Sequence, residues 1–153
     1  THADGQFNKI ICKALDPTFS RFELCEVKWN KQKISTLSLT IRLLKVPVTN
    51  FSINAQFFNM QKKQNLLISN RTWDACEAVK GAKKFSPARF LLNIANQFTN
   101  INHTCPYNHT LIVRNAHFDK VPIPIPAGNY IYKIIFIMNG EPRSIIEIHF
   151  SPH

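Results

Sequence analysis

"LSLTIRLLKVPVTNFSINAQF", residues 37–57, holds two runs in which apolar and polar side chains take turns. Leu37, Leu39, Ile41 and Leu43 alternate with Ser38, Thr40 and Arg42. Phe51, Ile53, Ala55 and Phe57 alternate with Ser52, Asn54 and Gln56. Successive side chains of an extended chain point to opposite faces, so a period of two gives each run one apolar face and one wet face. That pattern describes half-buried antiparallel strands. The link between them, "KVPVTN" (45–50), contains Pro47, which has no amide proton to offer a ladder.

Extended outward, the same reading places further strands at 8–15, 21–29, 66–72, 109–118, 129–138 and 144–150. Eight short strands joined by polar or proline-bearing links predict an all-β chain folded as an antiparallel sandwich. A short helical insertion around residues 74–100 interrupts them. Asp74 and Glu77 make a helix start in which Asp74 caps free amides and Glu77 favours the positive end, and Gly81 supplies the stop. A second helix opens with Ser86 as cap and Pro87 at the first helical position. Phe90, Leu91, Ile94, Ala95, Phe98 and Ile101 then recur on one face. "VPIPIPAGNY" (121–130) has prolines at alternate positions, which forbids regular pairing and predicts an extended loop. Its Ile123 and Ile125 either close the sandwich from one end or stand at an opening. With no repeat and no linker, residues 1–153 read as a single domain.

The composition is globular: 153 residues, 44% hydrophobic and 18% charged, with twelve Phe. A net charge of +10 admits anionic partners, but the basic residues fall into small groups (Lys28, Lys31 and Lys33; Lys62 and Lys63; Lys80, Lys83, Lys84 and Arg89). The aromatics occupy core positions rather than interleaving with lysines, so nucleic-acid binding is not expected. No apolar run approaches the roughly 18 residues of a membrane span.

Cys12, Cys25, Cys76 and Cys105 are an even, widely spaced set without a CxxC motif. With the sequons at Asn50, Asn70, Asn102 and Asn108, they point to an oxidising compartment, hence to a secreted glycoprotein. Thr1 is then expected to follow a leader already removed. Four cysteines allow three connectivities. A hairpin of 8–15 with 21–29 sets Cys12 opposite Cys25, and Cys76 with Cys105 would close the helical insertion; a swapped pairing remains open.

Catalytic signatures are missing. There is no GxSxG, no HExxH and no Walker loop, and Gly5, Gly81, Gly128 and Gly140 are too scattered to cradle phosphate. Glu23 and Glu26 are expected on opposite faces of one strand, unsuited to acid–base work in one cleft. His103, Cys105 and His109 have the types of metal ligands, but Cys105 is better used in a disulfide. The chain is therefore read as non-enzymatic, with no cofactor and no metal.

Several segments together resemble a large insect family of small secreted proteins related to the CheB chemosensory proteins. They are "INHTCPYNH" (101–109) followed by "TLIVRN", "CKALDPTFSRFELCEVK" (12–28), "LKVPVTNFSINAQFF" (44–58), "WDACEAVKG" (73–81) and "IPAGNYIYKIIF" (125–136). That family is similar to the ML lipid-recognition superfamily, which includes the ganglioside activator protein. The resemblance implies an immunoglobulin-like sandwich of ML type, secretion, and a lipid-like ligand held between the sheets for chemosensation or lipid presentation. Thr110 departs from the pattern, where an acidic residue is common. The expected ligand contacts are Leu39, Ile41, Leu43, Phe51, Ile53 and Phe57, with Phe90, Ile94 and Phe98 closing the mouth and Ile134 and Phe136 added from a later strand. The rival reading is an extracellular interaction or assembly subunit with a solid interior, binding a receptor or its own copies through its surface.

Overall fold

The computed structural model describes residues 5–61, 64–79, 97–117 and 126–152. Among the described residues, eight strands and one short helix follow in order: β1 (Gln6–Ala14), β2 (Ser20–Trp29), β3 (Ser35–Leu43), β4 (Phe51–Met60), β5 (Asn65–Asp74), α1 (Ala75–Val79), β6 (Leu111–Ala116), β7 (Tyr130–Met138) and β8 (Glu141–Ser151). They form two antiparallel sheets, one of five strands in the order β1-β8-β7-β4-β5 and one of three in the order β2-β3-β6. The sheets stack as a sandwich, and every strand anticipated from alternation is present.

The core lies between the layers. Leu37, Leu39 and Ile41 of the smaller sheet meet Phe51, Phe136, Met138 and Ile146 of the larger one. The larger sheet's register sets this face: Ile53 pairs with Phe136, Ala55 with Ile134 and Phe57 with Tyr132, while Ile134 pairs with Ile146 and Tyr132 with Ile148. Strand β7 is an interior strand with apolar residues on both faces, which explains why its sequence shows little alternation.

The first two strands do not form the expected hairpin. β1 pairs along its length with β8, and β2 pairs with β3. The link between them is a turn around Asp16, whose carbonyl accepts from the amides of Phe19 and Ser20 and whose carboxylate accepts from Thr18. That turn carries the chain from one sheet to the other. Cys12 and Cys25 are bonded, but the bond joins the two layers rather than two neighbours in one ladder. A bulge between Phe22 and Leu24 makes this possible, because it brings Phe22 and Cys25 to the same face against Ile41 and Leu39. Polar bonds hold the same flank: the Phe7 amide donates to Ser35 Oγ, and the Ser35 amide and hydroxyl both donate to Gln6 Oε1.

Helix α1 starts as expected, with the Glu77 amide donating to Asp74 Oδ1. The second helix, with Phe90 and Ile94, and the loop carrying Ile123 and Ile125 lie outside the described residues. The expected helical face does not extend to Phe98 and Ile101. Thr99 bridges to Val113, the Arg114 amide donates to the Phe98 carbonyl, and the Asn100 amide donates to the Ile112 carbonyl. Residues 98–100 therefore run along the free edge of β6, where ladder bonds replace helical ones. Cys76 bonds to Cys105, tying α1 to the segment that leads into β6.

Two outcomes test this arrangement. Replacing Cys12 and Cys25 together by Ser should lower the free energy of unfolding by about 3 kcal/mol in denaturant titrations, the chain-entropy value for a loop of that size. Asp16 sits below its ordinary pKa of 3.8, first because the Thr18 hydroxyl and then the Thr18 amide donate to it, with Lys45 and Arg143 adding attraction against the cost of burial. A depressed carboxyl stabilises the fold above its unfolded pKa and loses that contribution as pH falls through the folded value. Asp16→Asn should thus unfold at a lower temperature than the wild type at neutral pH, and the gap should narrow below pH 3.8.

Candidate functional site

The interior between the sheets is where the chain concentrates its apolar side chains, and its packing is uneven from end to end. At the end near the Cys76–Cys105 bond the core is solid. Ile41, Val48, Phe51, Tyr107, Leu111 and Met138 are all fully buried. Phe51 sets its ring edge-on to Tyr107 at 5.6 Å and to Phe136 at 5.1 Å. Val48 and Tyr107 exchange backbone bonds, so the proline-bearing link and the "INHTCPYNH" segment (101–109) close this end together.

Farther along the larger sheet the packing changes. Ile10, Ile148, Tyr132 and Phe57 form one row of inward-facing side chains across four strands, and each is half-buried. The rows on either side are tighter: Ala55 and Ile146 are buried on one side, Tyr130 and Phe150 on the other. Ile148 and Tyr132 belong to β8 and β7, interior strands where burial should be most complete. On the smaller sheet Val27, Leu37 and Ala116 form a row of their own; Leu37 is buried, but Val27 and Ala116 are half-buried.

Aromatic rings line this part of the interior. Phe57 lies 5.1 Å from Tyr130, 5.8 Å from Tyr132 and 5.9 Å from Phe150. The three tyrosines differ in how their hydroxyls are met. Tyr130 donates to the Pro126 carbonyl and Tyr107 to the His103 carbonyl. The Tyr132 hydroxyl has no hydrogen-bond partner among the described residues. Burial pushes the pKa of Tyr132 up. Tyr107 is pushed up by burial too, with the His103 carbonyl bond opposing the shift.

The residues singled out from sequence fall on this interior where they are described. Leu39, Ile41 and Leu43 lie on the inner face of β3, Phe51, Ile53 and Phe57 on that of β4, and Ile134 and Phe136 on that of β7. They do not form one wall. Leu39, Ile41, Phe51 and Phe136 are core, while Leu43, Ile53, Phe57 and Ile134 keep some exposure. Phe98 is half-buried beside β6, edge-on to His117 at 5.1 Å. Sequence reasoning missed Ile10, Tyr132 and Ile148. Tyr130, Tyr132, Ile134, Phe136 and Met138 do alternate, but Ile131, Ile135 and Ile137 between them hide the period.

Asn50, Asn70, Asn102 and Asn108 are all exposed. Among the described residues no group of three or more His, Cys, Asp or Glu gathers to hold a metal, and no helix is long and apolar enough to cross a membrane.

The fold defines a two-layer antiparallel β-sandwich with an apolar interior. The model of the family described as "Protein of unknown function (DUF1091)" matches residues 49–132, more than half of the chain, and the protein belongs to that family. No curated protein matches significantly. Among solved structures the chain is similar to a Niemann-Pick type C2 protein from Japanese carpenter ant, at 12% identity and a TM-score of 0.32, over 96% of this chain and 91% of that one. The strand pairings, rather than this likeness, define the sandwich.

The unevenness of the interior has a measurable consequence at its tight end. Phe51→Ala removes a ring with no room to relax and should cost about 3–5 kcal/mol of stability by denaturant unfolding.

Proposed function

We propose that the protein is a secreted glycoprotein that carries a hydrophobic, lipid-like ligand between its two sheets and performs no catalysis. The observation that carries this reading is the half-buried row of Ile10, Ile148, Tyr132 and Phe57. Interior strands of a filled sandwich bury such side chains against the opposite layer. Apolar groups left half-buried between tighter rows gain about 25 cal/mol per Å2 when a ligand covers them. The contacts proposed first are these four residues, followed by Ile134, Ile53 and Leu43. Leu39, Ile41, Phe51 and Phe136 serve as the floor, and Phe90, Ile94 and Phe98 belong to the proposed mouth. The Tyr132 hydroxyl, unpartnered among the described residues, gives the ligand one polar handle in an otherwise oily surface. A ligand with a single hydrogen-bonding group on a long apolar body fits that chemistry.

Secretion is supported by two disulfides and no free cysteine among the described residues. The exposure of all four sequon asparagines supports glycosylation. Chemosensation or lipid presentation rests on the resemblance to CheB-related and ML-type proteins. The second reading, an extracellular interaction or assembly subunit, draws on Leu66, Leu67 and Ile68 of β5. This edge strand leaves each of them about half exposed (49–51%).

The two readings separate experimentally. Native mass spectrometry of protein from a secretory host should show a bound hydrophobic molecule that solvent extraction removes. Ile148→Trp should abolish its uptake and leave the melting temperature near that of the wild type, because the indole occupies space otherwise filled by ligand. If the interior is solid, the same substitution overpacks it, costs about 1–3 kcal/mol and changes no ligand content, which would defeat the carrier reading. Tyr132→Phe should weaken binding several-fold, by about 0.5–1.5 kcal/mol, without loss of stability.

A further inference from the structure

We propose that His103 and His109 form a two-histidine site for a divalent zinc-class metal ion on the surface of the disulfide-tied segment, separate from the interior of the sandwich. Their Nε2 atoms converge to 2.7 Å. Both rings are half-buried, and Tyr107 supports them, with its ring stacked on His103 at 4.2 Å and edge-on to His109 at 5.5 Å. Each ring also has a backbone carbonyl in reach of its other nitrogen. His103 Nδ1 lies 2.7 Å from the Thr104 carbonyl and His109 Nδ1 lies 2.9 Å from the Thr110 carbonyl. A carbonyl accepts and never donates, so both contacts favour the tautomer with the proton on Nδ1. In that tautomer both Nε2 lone pairs point at one place.

Two such lone pairs repel unless something positive lies between them. Without metal, one ring carries a proton on Nε2 and donates it to the other. For His109 this means accepting at Nδ1 from the Asn100 amide, 3.3 Å away, in place of donating to Thr110. A metal ion removes that compromise, because both rings keep their Nδ1–H bonds and both Nε2 atoms coordinate. Carbonyls that orient metal-bound imidazoles are the usual outer support of such sites. At a metal–nitrogen distance of about 2.0–2.1 Å and tetrahedral geometry the two nitrogens stand about 3.3 Å apart, so the rings need to part by roughly half an ångström. No third His, Cys, Asp or Glu joins them among the described residues, and Cys105 is held in its disulfide, so solvent completes the shell. The Cys76–Cys105 bond anchors the chain between the two histidines to α1.

The test is titration of the untagged, disulfide-intact chain with Zn2+ by calorimetry, with imidazole nitrogen shifts followed by NMR. The expected result is one ion per chain, with Nε2 of His103 and His109 shifting together while His149, paired with Glu147 two residues away on β8, does not. His103→Gln and His109→Gln should each abolish this binding and His149→Gln should leave it intact. If either histidine variant fails to fold, the wild-type NMR shifts still decide. No Zn2+ uptake, uptake that survives both substitutions, or shifts confined to other histidines would overturn the proposal.

Discussion

The stacking of two apolar sheet faces is the constraint on which the other features depend, and one covalent bond with one aromatic cluster keeps those faces together. Cys12–Cys25 fastens β1 to β2 across the layers on one flank. Phe51, wedged between Phe136 and Tyr107, locks β4 to the segment that precedes β6. Between these two fixed points the sheets need not meet with equal tightness. The half-buried row in the middle of the larger sheet is what such pinning permits: a sandwich held at its flank and at one end tolerates looser contact elsewhere without coming apart. Small domains with a limited core gain most from cross-links of this kind.

The segment around Cys105 has more than one role in this arrangement. Tyr107 is at once a core residue, a stacking platform for two histidines, and a donor to the His103 carbonyl. The Thr104 hydroxyl donates to the Cys76 carbonyl, and Cys105 bonds to Cys76, so the chain is fastened to α1 by two adjacent contacts. Asn100 reaches the Thr110 carbonyl with its amide and takes the Ile112 amide on its oxygen, which aligns the entry to β6. With its backbone fixed in this way, the segment leaves Asn102 and Asn108 at the surface while Tyr107 points inward. The same residues close the tight end of the sandwich and hold the two imidazoles together.

Much of the architecture was legible in the chain because strand alternation is a local property. Leu37–Leu43 and Phe51–Phe57 announced their inner faces, and the structure puts those faces inward. Partner choice was not legible. Residues 8–15 and 21–29 look like a hairpin because they are close in sequence and share a polar turn. They belong to different sheets, β1 pairing along its length with β8 and β2 with β3. The right cysteines were paired by proximity in sequence, yet the bond joins layers, since the bulge at Phe22–Leu24 changes which side chains share a face. Phe98 and Ile101 fitted a helical stripe, but the open edge of β6 offered backbone bonds that a stripe cannot reveal.

What the sequence determined by itself was which side chains face inward along each alternating strand, where helix α1 is capped, and which residues were free to stand at the surface. Periodicity and capping depend on neighbours a few positions away, so they are written in the chain. Only the tertiary structure decided which strands pair, that Cys12 and Cys25 join opposite layers, that Ile10, Ile148, Tyr132 and Phe57 line up in one loosely covered row, and that His103 and His109 meet. Each of these depends on the distance between groups brought together by sheet register and by the stacking of layers, and no local pattern encodes that distance.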